Sequence, residues 1–226
     1  MDEIKLAADK ETVAFDIEGT LTEGMAWEGV RDYLVESGDE DKYKAFQSRM
    51  TPRYLLFRLN LGNKQAFKND WIAGILALLA GRDLVELQAL GQRIVSDVLW
   101  PKRRVDVLEE LVGHQAAGRQ IVLVSGQFQP FLDAFVEKVG AAAGMGTPGA
   151  WQDGRFSGKL DAPFTIGQRK ADLLQEVLGN QQLYAAYGDT GPDAPMLSMS
   201  ERPTAVYPDS QLLRTAREQG WRIMGS

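Results

Sequence analysis

Apolar positions along the chain follow two periods. Short β-type runs occur at TVAFDI (12–17), RQIVLVS (119–125), LYAAYGD (183–189) and PTAVY (203–207), with WRIM (221–224) as a further candidate. Between most of them, apolar residues recur at helical spacing. Strands alternating with helices predict an α/β fold, a mostly parallel sheet covered by helices. Two of the strands end in acids, Asp16 and Asp189, and a third ends in Ser125. Ligands of open α/β sheets sit beyond the carboxyl ends of the strands, so three polar strand ends on one edge predict a site.

Ser125 follows Asp16 by 109 residues. A right-handed parallel crossover needs one helix, and Lys102–Ala117 supplies it. The surplus, Glu23 to Trp100, reads as helices at Trp27–Glu36, Asp41–Met50, Pro52–Leu61, Lys64–Ala80 and Leu84–Leu99, most of the breaks carrying Gly, Asp or Pro. The expectation is a helical insertion capping the strand ends. Trp100-Pro101 suits the return hinge, with Pro101 fit to begin the crossover helix. Asp153-Gly154, flanked by aromatics in WQDGRFSGKL, signals a hairpin.

Composition narrows the function. At 226 residues, with 44% hydrophobic and 25% charged positions, the chain can bury a substantial core. A net charge of −6 argues against nucleic acid as partner. It leaves room for a small anionic substrate, because a metal and local cations can reverse the field in one pocket. The lack of cysteine excludes disulfides, a thiol nucleophile and Cys-based zinc, and fits a cytoplasmic location. The N-terminal MDEIKLAADKET has no apolar signal core, and the longest apolar run, Trp71–Ala80, is too short to span a bilayer, so no membrane partner is expected.

The chemistry concentrates in four stretches. In AFDIEGTLTEG, Asp16 and Glu18 stand two apart at a strand end, followed by Gly19, which allows a turn, and the Thr20 hydroxyl. Such a pair suits a nucleophile and a proton carrier, and equally two solvated turn acids. In YGDTGPD, Asp189 and Asp193 join Asp16 in a hard oxygen set suited to Mg²⁺. In VLVSGQFQP, Ser125 and Gly126 precede a helix opened by Pro130, an anion cradle or a simple N-cap. Lys170, near a predicted helix start in IGQRKADLL, is a phosphate-binding cation or a surface lysine.

The order of these stretches, Asp-x-Glu-Gly-Thr, Ser-Gly, Lys, then Gly-Asp-x₃-Asp, resembles the haloacid dehalogenase superfamily of phosphohydrolases over essentially the whole chain. Cap placement and the DGRFSGKL hairpin are similar to its phosphoserine-phosphatase-like branch. The resemblance implies a Rossmann-like parallel sheet formed by residues 1–22 and 101–226, and an inserted helical cap of residues 23–100. It also implies a Mg²⁺-dependent phosphomonoesterase acting on a small phosphorylated metabolite, with phosphoserine as a candidate, through an aspartyl-phosphate. In that scheme Asp16 is the nucleophile and Glu18 the acid/base. Asp16, the Glu18 carbonyl, Asp189 and Asp193 hold or orient Mg²⁺, while Thr20, Ser125, Gly126 and Lys170 bind phosphate. The usual second acid is Asp. Glu18 adds a methylene, about 1.5 Å of reach. This keeps alternatives in play: transfer of the phosphoryl group to an alcohol such as homoserine, or a catalytically retired binding protein.

The branch's substrate-reading cap glutamate aligns with Met25, with Glu23 and Glu28 as flanking substitutes and Arg53 and Arg58 as candidate carboxylate ligands. Other signals carry less. GMGTPG (144–149) matches a dinucleotide fingerprint, but a hairpin and not a helix follows it. His114 and the run Lys102-Arg103-Arg104 read as surface residues. The aromatics Trp27, Tyr33, Phe46, Tyr54, Phe57 and Trp71 read mainly as cap core, one or two facing substrate.

Overall fold

A computed structural model describes residues 6–59, 61 and 63–225. In chain order its elements are β1 (Thr12–Phe15), α1 (Ala26–Glu36), α2 (Glu40–Arg58), α3 (Lys64–Ala77), α4 (Leu84–Ile94), α5 (Val105–Ala116), β2 (Gln120–Phe128), α6 (Gln129–Val139), β3 (Ala143–Thr147), β4 (Gly149–Gln152), β5 (Arg155–Leu160), α7 (Gln168–Leu178), β6 (Leu183–Gly188), α8 (Ala194–Ser198), β7 (Ser200–Val206), α9 (Ser210–Gln219) and β8 (Arg222–Met224). Six strands form one sheet in the order β3-β2-β1-β6-β7-β8, each pair parallel. The chain winds outward from β1 in both directions, so the β1/β6 boundary is the topological switch point, where a cleft opens beyond the strand ends. The α/β expectation holds, and the physical cause is visible in β1: all four of its residues are buried, as a central strand covered on both faces requires. One apolar cluster, including Phe15, Leu111 and Phe135, fills one side of the sheet; another, including Val122, Leu174 and Leu212, fills the other.

Residues between β1 and α5 form α1 to α4 plus a π-helical turn, Val95–Leu99. Several expected boundaries shift. The break expected at Thr51-Pro52 does not occur: α2 runs through Pro52, with the Thr51 hydroxyl donating to the Gln47 carbonyl at 2.9 Å. The expected end of that segment reaches past Asn60, which lies outside the described residues. Pro101 does not begin the crossover helix; it lies in a turn, and α5 starts at Val105. Pro130 is the second residue of α6 and not the first, because α6 begins at Gln129, directly after β2 ends at Phe128.

Strand β3 escapes the pattern reading because AGMGT offers little β signal. Its small residues have a packing reason: a Cβ on Gly144 would lie 2.2 Å from Leu132 Cδ2 of α6. The predicted hairpin is β4-β5, antiparallel, with Asp153 and Gly154 both at positive φ, the backbone that a two-residue turn of this hand needs. It ties down the helical segment through Gly81 N–H to the Phe156 carbonyl and Phe156 N–H to the Arg82 carbonyl, both 2.8 Å.

Candidate active site

Asp16 follows β1 directly, and its N–H donates to the Tyr187 carbonyl of β6 at 3.0 Å. The chain then turns sharply. Leu21 and Thr22 both donate N–H to the Ile17 carbonyl, and Gly19 adopts φ +93°. Only glycine fits there for two reasons, backbone and space: a Cβ would sit 2.0 Å from Asp189 Oδ2. The Arg104 guanidinium donates to the Gly19 carbonyl at 3.1 Å and lies 3.8 Å over the Tyr207 ring. The basic run expected to be solvated is thus partly structural. Arg104 pins the acidic loop, and Lys102 pairs with Glu28 at 2.6 Å.

Asp16, Asp189 and Asp193 each bring a carboxylate oxygen within 4.8 Å of the other two. Lys170 is 3% exposed, not a surface lysine, and its ammonium donates to Asp16 Oδ1 and to Asp193 Oδ1, both at 2.6 Å. Thr190 donates its N–H and hydroxyl to Asp193 Oδ2 at 3.0 and 2.9 Å. Burial alone would raise the Asp193 carboxyl, but Lys170 and Thr190 hold it below the ordinary range. Burial raises Asp16 despite Lys170. Asp189 is pushed up to about 8 by burial and by the Asp16 and Asp193 charges. Lys170 does not reach it with a hydrogen bond; a 3.5 Å contact from the Thr20 hydroxyl is its side-chain donor among the described residues. Two buried carboxylates and the half-buried Asp189 against one ammonium leave the cluster short of positive charge. An all-oxygen set lacking one cation fits a hard divalent ion such as Mg²⁺.

Glu18 occupies the other wall. Its Oε1 accepts from the Ala26 N–H, the first residue of α1, at 2.7 Å and from Gln127 Nε2 at 3.0 Å. Burial raises its carboxyl above the ordinary range, and those two donors oppose the rise. The methylene that distinguishes Glu18 from Asp lengthens its reach toward the start of α1 and toward Gln127. Gln127 follows Ser125 by two near the end of β2, where the pairing with β3 is irregular, and both line the cleft. Its Oε1 is buried without a partner among the described residues.

Asp16, Glu18, Met25, Ser125, Gly126, Lys170, Asp189 and Asp193 line a single cleft of about 1640 Å³. Four other candidates do not. The Thr20 hydroxyl, fully buried, donates to Asp16 Oδ2 at 3.1 Å, beneath the carboxylates and not at the cleft surface. Glu28 is held by Lys102, and its flanking alternative Glu23 pairs with Arg104 at 3.1 Å. Arg53 pairs with Asp70, and Arg58 donates to the Tyr54 hydroxyl at 3.2 Å. Helical periodicity does not show which face of α2 turns inward, and these two turn away. Trp27, Tyr54, Phe57 and Trp71 all line the cleft, joined by Tyr43, Phe67 and Arg31, which sequence reasoning did not place there. Arg31 follows Trp27 by four, the helical spacing that puts both on one face of α1. His114 is half-buried, not a surface residue; its Nε2 meets the Tyr187 hydroxyl at 2.9 Å, and the Tyr187 ring stacks on Phe15 at 4.2 Å. Phe15 and Tyr187 precede Asp16 and Gly188-Asp189, so this stack braces both strand ends.

A family model described as haloacid dehalogenase-like hydrolase matches residues 13–198. A Mycobacterium tuberculosis protein named phosphoserine phosphatase is 28% identical over 216 residues, spanning 92% of this chain and 68% of its own length. The histidinol-phosphatase of Neisseria meningitidis is 23% identical over 227 residues, spanning 95% of this chain and 98% of its own. A solved Bordetella pertussis protein of unknown function superposes with a TM-score of 0.77 at 23% identity, covering 96% of this chain and 99% of that one. A phosphoserine phosphatase solved as a phospho-aspartyl intermediate analogue gives a TM-score of 0.59 at 16% identity, covering 95% and 92%. The two superpositions establish a common fold. The family model spans all four chemistry-bearing stretches, from the strand before Asp16 to the helix after Asp193, and so the chain belongs to the haloacid dehalogenase-like hydrolase family.

Proposed function

We propose that this enzyme is a Mg²⁺-dependent phosphomonoesterase working through an aspartyl-phosphate on Asp16. The observation that carries the reading is the pairing of two unlike acid environments in one cleft. Asp16 is held by Lys170 and Thr20, while Glu18 stands apart from Lys170 with its carboxyl raised by burial. The two acids differ in their partners: a carboxyl paired with an ammonium suits the nucleophile, and one held only by the neutral Ala26 N–H and Gln127 amide suits the proton carrier. An Asp16 oxygen attacks phosphorus as the bond to the leaving oxygen breaks, and that oxygen takes the Glu18 proton. Glu18 then accepts a proton from water, whose oxygen attacks phosphorus and frees Asp16 and inorganic phosphate. The Ser125 hydroxyl, the Gly126 N–H and the Lys170 ammonium bind the phosphoryl oxygens. Positioning of this kind supplies most of the catalysis of phosphoryl transfer. Asp16, Asp189, Asp193 and the Glu18 carbonyl are the groups that would hold or orient Mg²⁺, which, when bound, adds the missing positive charge and polarises a phosphoryl oxygen.

The segment 23–100 acts as the cap that selects the leaving group, and the enzyme is assigned to the cytoplasm. Met25 and the aromatic lining favour a leaving group less polar than an amino acid. The test is phosphate release with Mg²⁺ from a panel of phosphoserine, phosphohomoserine, phosphocholine, sugar phosphates and an aryl phosphate. We expect Mg²⁺-dependent release that falls by roughly 10³-fold or more in Asp16→Asn. Bound Mg²⁺ with no release across the panel would favour a transferase or a binding protein.

A further inference from the structure

The cleft does not end over the carboxylates. It runs between α2 and α3, where Tyr54, Leu55 and Phe57 of α2 and Lys64, Phe67 and Lys68 of α3 line it. Just outside it, Leu56, Leu59 and Leu61 are 50–67% exposed, and Leu55 at its rim is 56% exposed. A cluster of leucines this open is unusual for a surface with no partner.

Charge says what kind of partner it is. Between residues 42 and 69 the chain carries seven cations, Lys42, Lys44, Arg49, Arg53, Arg58, Lys64 and Lys68, and no acid, in a protein of net charge −6. Lys42, Lys44 and Arg53 pair with Asp39, Glu40 and Asp70. Arg49, Arg58, Lys64 and Lys68 have no ion pair among the described residues. Exposed leucines on a segment rich in unpaired cations match a surface that is apolar beneath and anionic above, the interface of an anionic lipid bilayer. A second copy is a poor match, because a symmetric contact would set these cations against themselves.

We propose that the exposed leucines Leu55, Leu56, Leu59 and Leu61, with the cations of α2 and α3, dock on anionic lipid surfaces, and that the cleft accepts a membrane-resident phosphomonoester. Its phosphate would reach Asp16 while its chain leaves past Phe57 and Phe67 into the bilayer. A cleft of about 1640 Å³ exceeds the roughly 300–1,000 Å³ of pockets that enclose compact ligands. The substrate clause rests on the phosphomonoesterase reading; the docking clause does not.

The experiment uses the full chain and the variant Leu56→Ser/Leu59→Ser, whose changes lie outside the cleft lining. Cosedimentation is measured with vesicles of phosphatidylcholine alone and of phosphatidylcholine mixed with phosphatidylglycerol, at low and high salt. Turnover is measured on an aryl phosphate in solution and on lysophosphatidate presented in the mixed vesicles. We expect partition on the order of 10²-fold stronger to the anionic vesicles, reversed by salt and lost in the variant. We also expect equal aryl phosphate turnover in both proteins and a drop of about tenfold on vesicle-borne substrate in the variant. Aryl phosphate turnover without vesicle binding would overturn the docking, as would equal binding to both vesicle types, or a leucine-dependent dimer that ignores vesicles. Vesicle binding with no aryl phosphate turnover would instead sink the phosphomonoesterase reading and the substrate clause with it.

Discussion

Glu18 is joined to two elements at once. Its carboxyl accepts from the first amide of α1 and from the Gln127 side chain, so the proposed proton donor is fastened both to α1 and to β2. Both bonds stabilise the ionised form and oppose the upward push of burial. Replacing Gln127 with Leu removes one of them and raises the carboxyl further. As the leaving-group acid, Glu18 must be protonated, so the activity limb that falls with rising pH moves to higher pH in Gln127→Leu. An alkyl phosphate, which needs the proton, will show the shift; an aryl phosphate, with its good leaving group, will show much less. Paired pH–rate profiles read the outcome, and coincident profiles for wild type and variant would reject the assignment of Glu18. Asp16, Asp189 and Lys170 are legible in the sequence because strand ends and motif order mark them. The Thr20 hydroxyl is not, since only the turn at Gly19 decides that it points beneath the carboxylates.

Helix α2 carries the clearest conflict between local preference and context. Pro52 removes the amide that would bond to the Ser48 carbonyl, and its ring crowds the preceding turn. The helix persists because Tyr43, Phe46 and Met50 are buried, with Phe46 packed on Trp71 of α3 at 5.1 Å between ring centres. Pro52→Ala will therefore stabilise the protein, by about 1–3 kcal/mol. Calorimetry should show a rise of roughly 2–4 °C in Tm per kcal/mol. An unchanged or lower Tm would mean that Pro52 itself is required by the packing of α2. Two predicted helices merge here because tertiary burial overrides a local breaker. β3 was unreadable for the reverse reason, its glycines being chosen to admit α6 and not to favour a strand.

In the molecule as a whole, the acidic cluster exchanges stability for function. Asp189 has a folded value of about 8 against about 3.9 in an unfolded chain, so the folded state holds its proton more tightly. Between those values the folded form binds more protons than the unfolded form, and stability falls as pH rises from about 4 to about 8. Mg²⁺ should oppose that fall by supplying the charge the cluster lacks. Thermal unfolding at pH 5 and pH 8, with and without Mg²⁺, tests this. We expect the ion to raise Tm most at pH 8, and Asp189→Asn to raise the metal-free Tm at pH 8 while abolishing turnover. A metal-free Tm that does not change over this range would contradict the account.

The strand and helix periods, the order of acids, serine and lysine, and the size of the insertion were readable from the chain, because each depends on neighbours in sequence or on local turn chemistry. They were enough to reach an α/β hydrolase with a helical insertion over its strand ends. Which cap residues face the cleft was not readable. Arg53 and Arg58 turn away while Arg31 turns in, since the rotation of a helix about its axis is set by what it packs against. Nor was the alliance of Glu18 with the start of α1, which joins residues eight apart through a fold in the chain. The seven cations without an acid were present in the sequence throughout. Only the placement of Leu56, Leu59 and Leu61 in solvent beside them turned a charge run into a surface, because exposure is a property of packing and not of residue type.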